Sequence, residues 1–316
     1  TCPVCGSMID ANTTRKLFQE GNSGQRMVAV VLHKPGTNGK RYRIATERDM
    51  QIFREAEAYL REKRGKLMPE WGMDPVPDEA LPLMSGVFNV PIYGMNTWGS
   101  LFNSRQKLAL ITFVEKVRQA HQKMLKEAYE EEYAKAVATY LGLVLDKVMQ
   151  FCSSNCTWKV DTTQVINAFV GRQALQMTWD YFELNPISGI STSWPHSVEV
   201  ALDGLKIVNG VDIPATITQS SATNLPYPDN FFDAVFTDPP YYFNVPYADL
   251  SDFFYVWLKR TIGDLYPELF STPLTPKSNE IVQMAHWDSD RYPEKGQEWF
   301  EKMLTKSFQE IHRVLK

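Results

Sequence analysis

Residues 232–241 read FDAVFTDPPY. The run 232–237 is short, apolar and rich in β-forming residues, which predicts a buried strand ending at Asp238-Pro239-Pro240. The flanking sequence alternates between strand, turn and helix patterns. Residues 215–220 are β-like and residues 224–229 (NLPYPD) are typical of a turn. Helical patterns follow at 250–262 and 298–315. Alternation of strand, turn and helix is typical of a parallel α/β sheet. The sequence therefore predicts an α/β fold.

The segment after the predicted strand has the residue types needed to hold an exocyclic amine. In open α/β sheets, ligands bind at the carboxyl ends of the strands. Pro239 and Pro240 fix the backbone and remove two N–H donors, so this backbone presents mainly carbonyl acceptors. A carboxylate at Asp238 and a backbone carbonyl can both accept from an amine, which favours a pyramidal nitrogen. Tyr241 can stack on a base that has left the duplex.

The sequence resembles a known family over nearly its whole length. The motif Asp238-Pro239-Pro240-Tyr241 after a strand is the signature of amino-methyltransferases that act on DNA bases. Other matching segments are 221–226 (SATNLP), 232–235 (FDAV), 238–257 (DPPYYFNVPYADLSDFFYVW), 93–95 (YGM), 172–175 (RQAL) and 179–181 (WDY). Together they resemble large prokaryotic adenine-specific DNA methylases that contain a zinc ribbon.

That resemblance implies a Rossmann-like methyltransferase sheet, S-adenosylmethionine as cofactor and DNA as partner. Asp238, Pro239, Pro240 and Tyr241 would form the catalytic target-amine site. The cofactor residues would be Ser221, Ala222 and Thr237. Tyr242 and Phe243 lie next to this segment and are candidates for the base pocket.

The sequence departs from the family at the cofactor's methionine end. A glycine-rich turn after the first strand is expected there. Neither residues 21–24 (GNSG) nor the sparse glycines of 204–210 provide it. In the family, that turn lies upstream of the segment matched here. We therefore expect the chain to be a middle-to-late part of such an enzyme, with an incomplete sheet and a missing N-terminal part that carries the glycine-rich loop.

The N-terminus contains half of a possible zinc site. Cys2 and Cys5 have knuckle spacing, but a tetrahedral structural site needs four ligands. The remaining pair lies either upstream, as the resemblance implies, or at Cys152 and Cys156, which are otherwise small buried apolar residues. Zinc is thus a possible second cofactor. There is no Pro-Cys motif of the cytosine-C5 methyltransferase type.

Composition limits the alternatives. The chain has 316 residues, 44% of them hydrophobic, and a formal net charge of −4. Residues 26–66 nevertheless contain 11 basic and 5 acidic residues, a local net charge of +6, which is compatible with tracking phosphates or with a solvated face. Four cysteines do not form a disulfide scaffold, and no signal peptide or membrane-spanning run is visible. We expect a cytoplasmic protein without membrane partners.

We predict four segments. They are a zinc-knuckle half with a β-hairpin and helix (1–66), a proline-rich linker or surface strap (67–95), a helical insert (96–195) and the catalytic α/β part (196–316). The helical patterns in the first three are 47–66, begun by a Thr46/Asp49 cap, 104–126, begun by Ser104, 130–149 and 172–184, with a further one at 197–208.

The predicted function is methyl transfer from S-adenosylmethionine to adenine N6 in DNA. Two alternatives stay open. The same amine-holding geometry serves a methyltransferase that acts on RNA or on a protein amide. A chain without the glycine-rich half would be a non-catalytic DNA-binding or scaffold piece.

Overall fold

The computed structural model describes residues 5–34, 39–169, 174–210, 213 and 215–316. Seven helices lie in these ranges: α1 (Ala11–Gln19), α2 (Glu47–Trp71), α3 (Ser104–Lys126), α4 (Glu131–Met149), α5 (Trp194–Val208), α6 (Tyr247–Ile262) and α7 (Gln297–Val314). The strands there are β1 (Ala29–Leu32), β2 (Arg41–Ile44), β3 (Thr157–Lys159) and β4 (Gln164–Ile166). The chain is therefore a mixed α and β protein in which helices predominate.

The predicted hairpin and the helix after it are confirmed. β1 pairs with β2 in antiparallel register, with Leu32 opposite Arg41. α2 starts at the predicted cap: the Thr46 amide donates to an Asp49 carboxylate oxygen at 2.8 Å. Arg43 also donates to Asp49, at 2.6 Å, so these bonds hold the pKa of Asp49 well below its usual range. The cap thus joins the hairpin to the helix.

Residues 67–95 are not a linker, which corrects that interpretation. α2 continues to Trp71 and ends at Gly72, whose φ of 67° is left-handed. The apolar residues that follow are buried in the main core, where Phe88 packs edge-to-face on Trp98. Pro69 lies inside α2 and Pro91 lies in the first turn of a short 3-10 helix, and the apolar side chains of this segment gain from burial.

The central helices α3 and α4 match their predicted ranges closely. The N-cap of α3 is Asn103 rather than Ser104, and Asn103 forms a capping box with Gln106. α3 packs between α2 and α4, and α4 also contacts α5 and α6. Apolar side chains on one face of α3 reach the core, including Leu110, Ile111 and Val114.

The helix predicted over 172–184 is wrong for residues 174–184; residues 172 and 173 lie outside the described part. The Leu175 amide donates to Val87 O at 2.7 Å, and the Asn89 amide donates to Leu175 O at 3.1 Å. A bridge between Leu175 and Phe88 therefore replaces the helical hydrogen bonds. A long-range backbone pairing has overridden local periodicity here.

The predicted strands of the catalytic part are not formed as strands. The described residues hold only two sheets, each with two antiparallel strands. Residues 215–220 are exposed and irregular, and 232–237 are not buried as predicted, since Phe236 is 95% exposed. Phe232 alone makes a bridge, parallel to Leu315. The described residues therefore form an α and β protein without a Rossmann-like sheet, and one parallel pairing, Phe232 with Leu315, lies in the predicted strand.

The helices of the catalytic part follow the sequence pattern. α5 begins at Trp194 with Pro195 in its first turn, where a proline is tolerated. α6 and α7 cover the two predicted ranges, and α6 packs on α3 and α4. No helix in the described ranges is both long and apolar enough to cross a bilayer.

Candidate active-site loop

The approach to the predicted catalytic loop is anchored on the end of α7. The Phe232 amide donates to Val314 O at 2.8 Å, and the Lys316 amide donates to Phe232 O at 3.0 Å. Upstream, Arg313 donates to Leu225 O at 3.0 Å and to Tyr227 O at 2.8 Å. These bonds place residues 225–227 and Phe232, six residues before Asp238, against the end of α7.

Asp238, Pro239 and Tyr241 are exposed, and Pro240 is half-buried. The Asp238 carboxylate makes no hydrogen bond or ion pair within the described residues, and Tyr241 is 56% exposed. The Asn244 amide donates to Tyr241 O at 2.7 Å, which closes a tight turn. The Asp238 carboxylate and the Tyr241 ring are therefore both exposed to solvent, and two prolines separate them in the sequence.

Tyr242 turns the loop back into the protein. Its φ is 48°, a left-handed conformation that is strained for an aromatic residue. Its ring lies 4.3 Å from that of Phe300, and its hydroxyl donates to Glu301 Oε1 at 2.9 Å. Burial and this bond raise the pKa of Tyr242. Tyr242 thus supports the loop from α7, and its ring is already in contact with a protein side chain.

Phe243 remains exposed, with its ring 4.7 Å from that of His286. Its carbonyl accepts from Trp287 Nε1 at 2.7 Å, and Tyr242 O accepts from the Gln283 amide at 3.0 Å. Of the two predicted base-pocket residues, Phe243 is therefore the one whose ring is available to a ligand. Residues 275–296, called the strap below, hold the loop through its backbone carbonyls.

A buried charged network fastens the strap to α6. The Asp252 carboxylate accepts from the Thr275 amide at 2.9 Å and lies 2.8 Å from Lys277 Nζ. Asp249 is fully buried and faces Tyr292 and Arg291 at 3.4 and 3.5 Å. Burial raises the pKa of Asp249.

Lys295 completes this network at the strap's end. It is fully buried, its Nζ donates to Glu280 O at 2.7 Å, and burial lowers its pKa. Sequence reasoning missed these residues. The available signal was the spacing of Asp249 and Asp252, which puts two carboxylates on the apolar face of a helix.

The predicted cofactor residues lie on exposed backbone. Ser221 Oγ is 2.9 Å from Thr223 Oγ1, and the Asn224 amide donates to Ser221 O at 3.0 Å, so residues 221–224 form a turn. Ala222 and Thr237 are exposed. These groups are available to a ligand. None of the described residues forms the glycine turn expected at the methionine end of the cofactor.

Of the predicted metal pair only Cys5 lies in the described ranges, and there it is not grouped with Cys152 and Cys156. Cys2 lies outside the described residues, and Cys5 is exposed, with its thiol 3.3 Å from Ser7 Oγ. Cys152 and Cys156 are buried in the core, where burial raises the pKa of both thiols. Within the described ranges, no group of three or more His, Cys, Asp or Glu side chains could hold a metal. The described residues therefore do not contain a complete zinc site.

The chemistry available at the loop is acceptance and stacking. An unpaired carboxylate can accept from an amine, the prolines present carbonyls on a stiff backbone, and the exposed ring can stack on a planar group. In comparisons with known proteins, no family model, no curated protein and no solved structure matches this chain.

Proposed function

We propose that residues 238–241 form the target-amine site of an S-adenosylmethionine-dependent DNA amino-methyltransferase. The observation that carries the proposal is the exposed Asp238 carboxylate. It has no partner within the described residues and stands at the head of a proline-stiffened loop. A buried carboxylate with an internal ion pair would suit a structural role, whereas an exposed one can accept from a substrate.

Each residue of the loop has one role in this proposal. Asp238 and the Pro239 carbonyl accept from the two hydrogens of the base amine, which frees the nitrogen lone pair. Tyr241 stacks on the base, and Tyr242, which is held by Phe300 and Glu301, fixes where the turn points. Adenine N6 is the proposed target, because the family resemblance associates Asp at this first position with adenine.

S-adenosylmethionine, when bound, supplies the electrophilic methyl group. The described residues could contact only the adenine end of this cofactor. Ser221, Ala222 and Thr237 are exposed there, with backbone groups and two hydroxyls that can form hydrogen bonds. No step is therefore assigned to residues at its methionine end. Zinc has no role in this proposal.

We further propose that 232–237 belongs to a parallel sheet of the Rossmann type. Two features support this. Phe232 and Leu315 are paired in parallel, and helices α6 and α7 lie between them in the chain. A helical crossover between two parallel strands is the βαβ unit of such sheets.

The test is transfer of a labelled methyl group from S-adenosylmethionine to unmethylated DNA. Asp238→Ala should lower the rate about 10²- to 10³-fold, because the lost bond strengthens as the nitrogen becomes pyramidal. DNA affinity should hardly change, since phosphate contacts dominate it. Asp203→Ala is the control, because Asp203 is also exposed and lies on α5, outside the loop and the strap that holds it.

Three outcomes would count against the proposal. Near wild-type turnover of Asp238→Ala would remove its main support. Label in RNA or in a glutamine side chain, read by mass spectrometry, would favour the alternative amine substrates. No transfer by the wild-type chain to any of these would favour a binding or scaffold role.

A further inference from the structure

A large open groove lies at the other end of the sequence from the proposed catalytic loop. It has a volume of about 2100 Å³ and runs between β1, α3 and the irregular segment 177–192. Pockets for single small ligands are typically ~300–1,000 Å³. The groove is therefore larger than one small molecule would fill, and its volume leaves room for several linked units of a polymer.

Two aromatic clusters line the groove. In the first, Trp158 stacks on Phe182 with ring centroids 4.6 Å apart, and Tyr42 meets Trp158 edge-on at 6.4 Å. In the second, Trp179 lies edge-on to Phe18 and Tyr93, at 5.5 and 5.4 Å. Tyr42 is 53% exposed and Trp179 is 57% exposed, so each cluster presents one ring that a ligand can reach.

The floor of the groove is polar. Asn103 Nδ2 donates to Tyr181 Oη at 3.0 Å and to Glu183 Oε2 at 2.9 Å. Beside it, Gln106 is only 3% exposed and lines the groove, yet its Nε2 has no hydrogen-bond partner among the described residues. The lining thus carries amide, hydroxyl and carboxylate groups as well as aromatic rings.

The charges on the groove favour an anionic occupant. Two of its acids are neutralised by arginines: Asp49 by Arg43 and Glu183 by Arg105. The exposed Asp180 is the remaining acid in the lining. It is outnumbered by Arg26, Lys40 and Lys116, none of which forms an ion pair within the described part of the chain.

We propose that this groove binds a single strand of DNA, with bases on Tyr42 and Trp179 and phosphates on the three cations. Stacking rings beside a positively charged groove are the pattern by which proteins hold unpaired strands without sequence preference. A duplex would bury its bases away from these rings. The inference rests on the proposed function only for its choice of DNA over RNA.

The experiment is fluorescence anisotropy of the full chain with a fluorescein-labelled oligo-dT strand of about twelve nucleotides. Tyr42→Ala and Trp179→Ala should each weaken binding about 5- to 100-fold, the loss expected for one stacked base. Tyr140→Ala, on α4 and 45% exposed, lies outside the groove lining and should bind as wild type does.

The cations are tested by salt dependence. Arg26→Ala and Lys116→Ala should each reduce the slope of log affinity against log salt by about 0.7, the value for one phosphate contact on a single strand. Lys302→Ala, exposed on α7, should leave the slope unchanged. Far-UV circular dichroism of every variant checks that it is folded, and the two aromatic variants test the same surface independently.

The inference would be overturned by any of four results: no binding by the wild type, equal loss in the control variants, tighter binding of the matching duplex, or tighter binding of an oligo-rU strand.

Failure of this inference can be distinguished from failure of the proposed function. If the chain transfers methyl groups at a rate that Tyr42→Ala and Trp179→Ala do not change, and binds no single strand, only the proposal of strand binding in the groove is refuted. Groove-dependent strand binding by a chain that transfers no methyl group would refute the catalytic proposal alone.

Discussion

Tyr242 decides which way the loop's two tyrosines face. Its left-handed φ of 48° reverses the backbone just after the two prolines, so Tyr241 stays in solvent while Tyr242 packs on Phe300. Strained conformations of this kind cost of order 1–3 kcal/mol and persist where surrounding contacts determine them. Here those contacts are Glu301 on the hydroxyl and the Gln283 amide on the carbonyl.

The two tyrosines should therefore respond differently to mutation. Tyr241→Ala should weaken capture of the target base by ~1–3 kcal/mol, seen as a raised KM for DNA in the methyl-transfer assay. Tyr241→Phe should be nearly silent, because the ring and not the hydroxyl stacks. Tyr247→Ala is the control, since Tyr247 is exposed on neighbouring α6. A loss in Tyr241→Phe as large as in Tyr241→Ala would mean that the hydroxyl has a role of its own.

At the scale of elements, α7 organises the approach to the loop. Arg313 and Glu310 form one unit on its last turns: Arg313 Nε donates to Glu310 Oε1 at 3.0 Å, and the Leu225 amide donates to Glu310 Oε2 at 2.9 Å. The bond from Arg313 and that from Leu225 lower the pKa of Glu310 to about 2. Turn 225–229 is thus held to the helix by one carboxylate and one guanidinium.

This unit predicts an acid-dependent change in stability. The folded pKa of Glu310 is depressed, so its contribution is complete above its unfolded pKa of about 4.5 and is lost as the pH falls towards 2. The difference in unfolding free energy between wild type and Glu310→Gln should be largest at about pH 6 and shrink towards pH 3. Urea titrations at both pH values measure it. A difference that is the same at both would contradict the prediction.

The basic residues of 26–66 differ in whether they form ion pairs, depending on whether they lie on the hairpin or on α2. On α2, ion pairs use Arg48, Arg54 and Lys66. The hairpin's Arg26, Lys40 and Arg41 form no ion pair within the described residues. Several cations of this stretch that have no ion pair among the described residues therefore lie on or beside the hairpin, whereas Arg43 of the hairpin is paired with Asp49.

At the scale of the whole molecule, buried Arg260 links α6 to the region predicted as a linker. It is 1% exposed, and its guanidinium donates to Asp74 O at 2.8 Å, Glu79 Oε1 at 2.9 Å and Asp78 Oδ1 at 3.2 Å. α6 and residues 74–79 thus belong to one packed body, and the core cluster continues through both.

Loss of this arginine should destabilise the whole chain. Arg260→Ala leaves Glu79 largely buried without its counter-charge, which typically costs ~3–5 kcal/mol. Urea unfolding should show this loss in a single cooperative transition. Arg61→Ala, on the exposed face of α2, should change the unfolding free energy little. Two separate transitions, with only one affected, would contradict the single packed body.

Much of the helical structure was determined by the sequence alone. The pattern of apolar residues predicted α2, α3, α4, α6 and α7, and the Thr46/Asp49 cap predicted where α2 begins, because caps and helical periodicity act within a few residues. The motif at 238–241 was likewise located from residue types and order, and its amine-binding chemistry stays a prediction. Its exposed carboxylate is compatible with that reading.

Tertiary structure decided what depends on distant partners. Leu175 pairs with Phe88 instead of continuing a helix. The prolines of 67–95 lie among buried apolar side chains rather than in a linker. Residues 232–237 have strand composition, but a strand forms only where another backbone supplies its hydrogen bonds, and within the described residues only Phe232 finds that partner, at Leu315. Local preferences select helices and turns; β pairing, burial of charges such as Arg260 and the direction of Tyr242 require contacts that only the folded chain brings together.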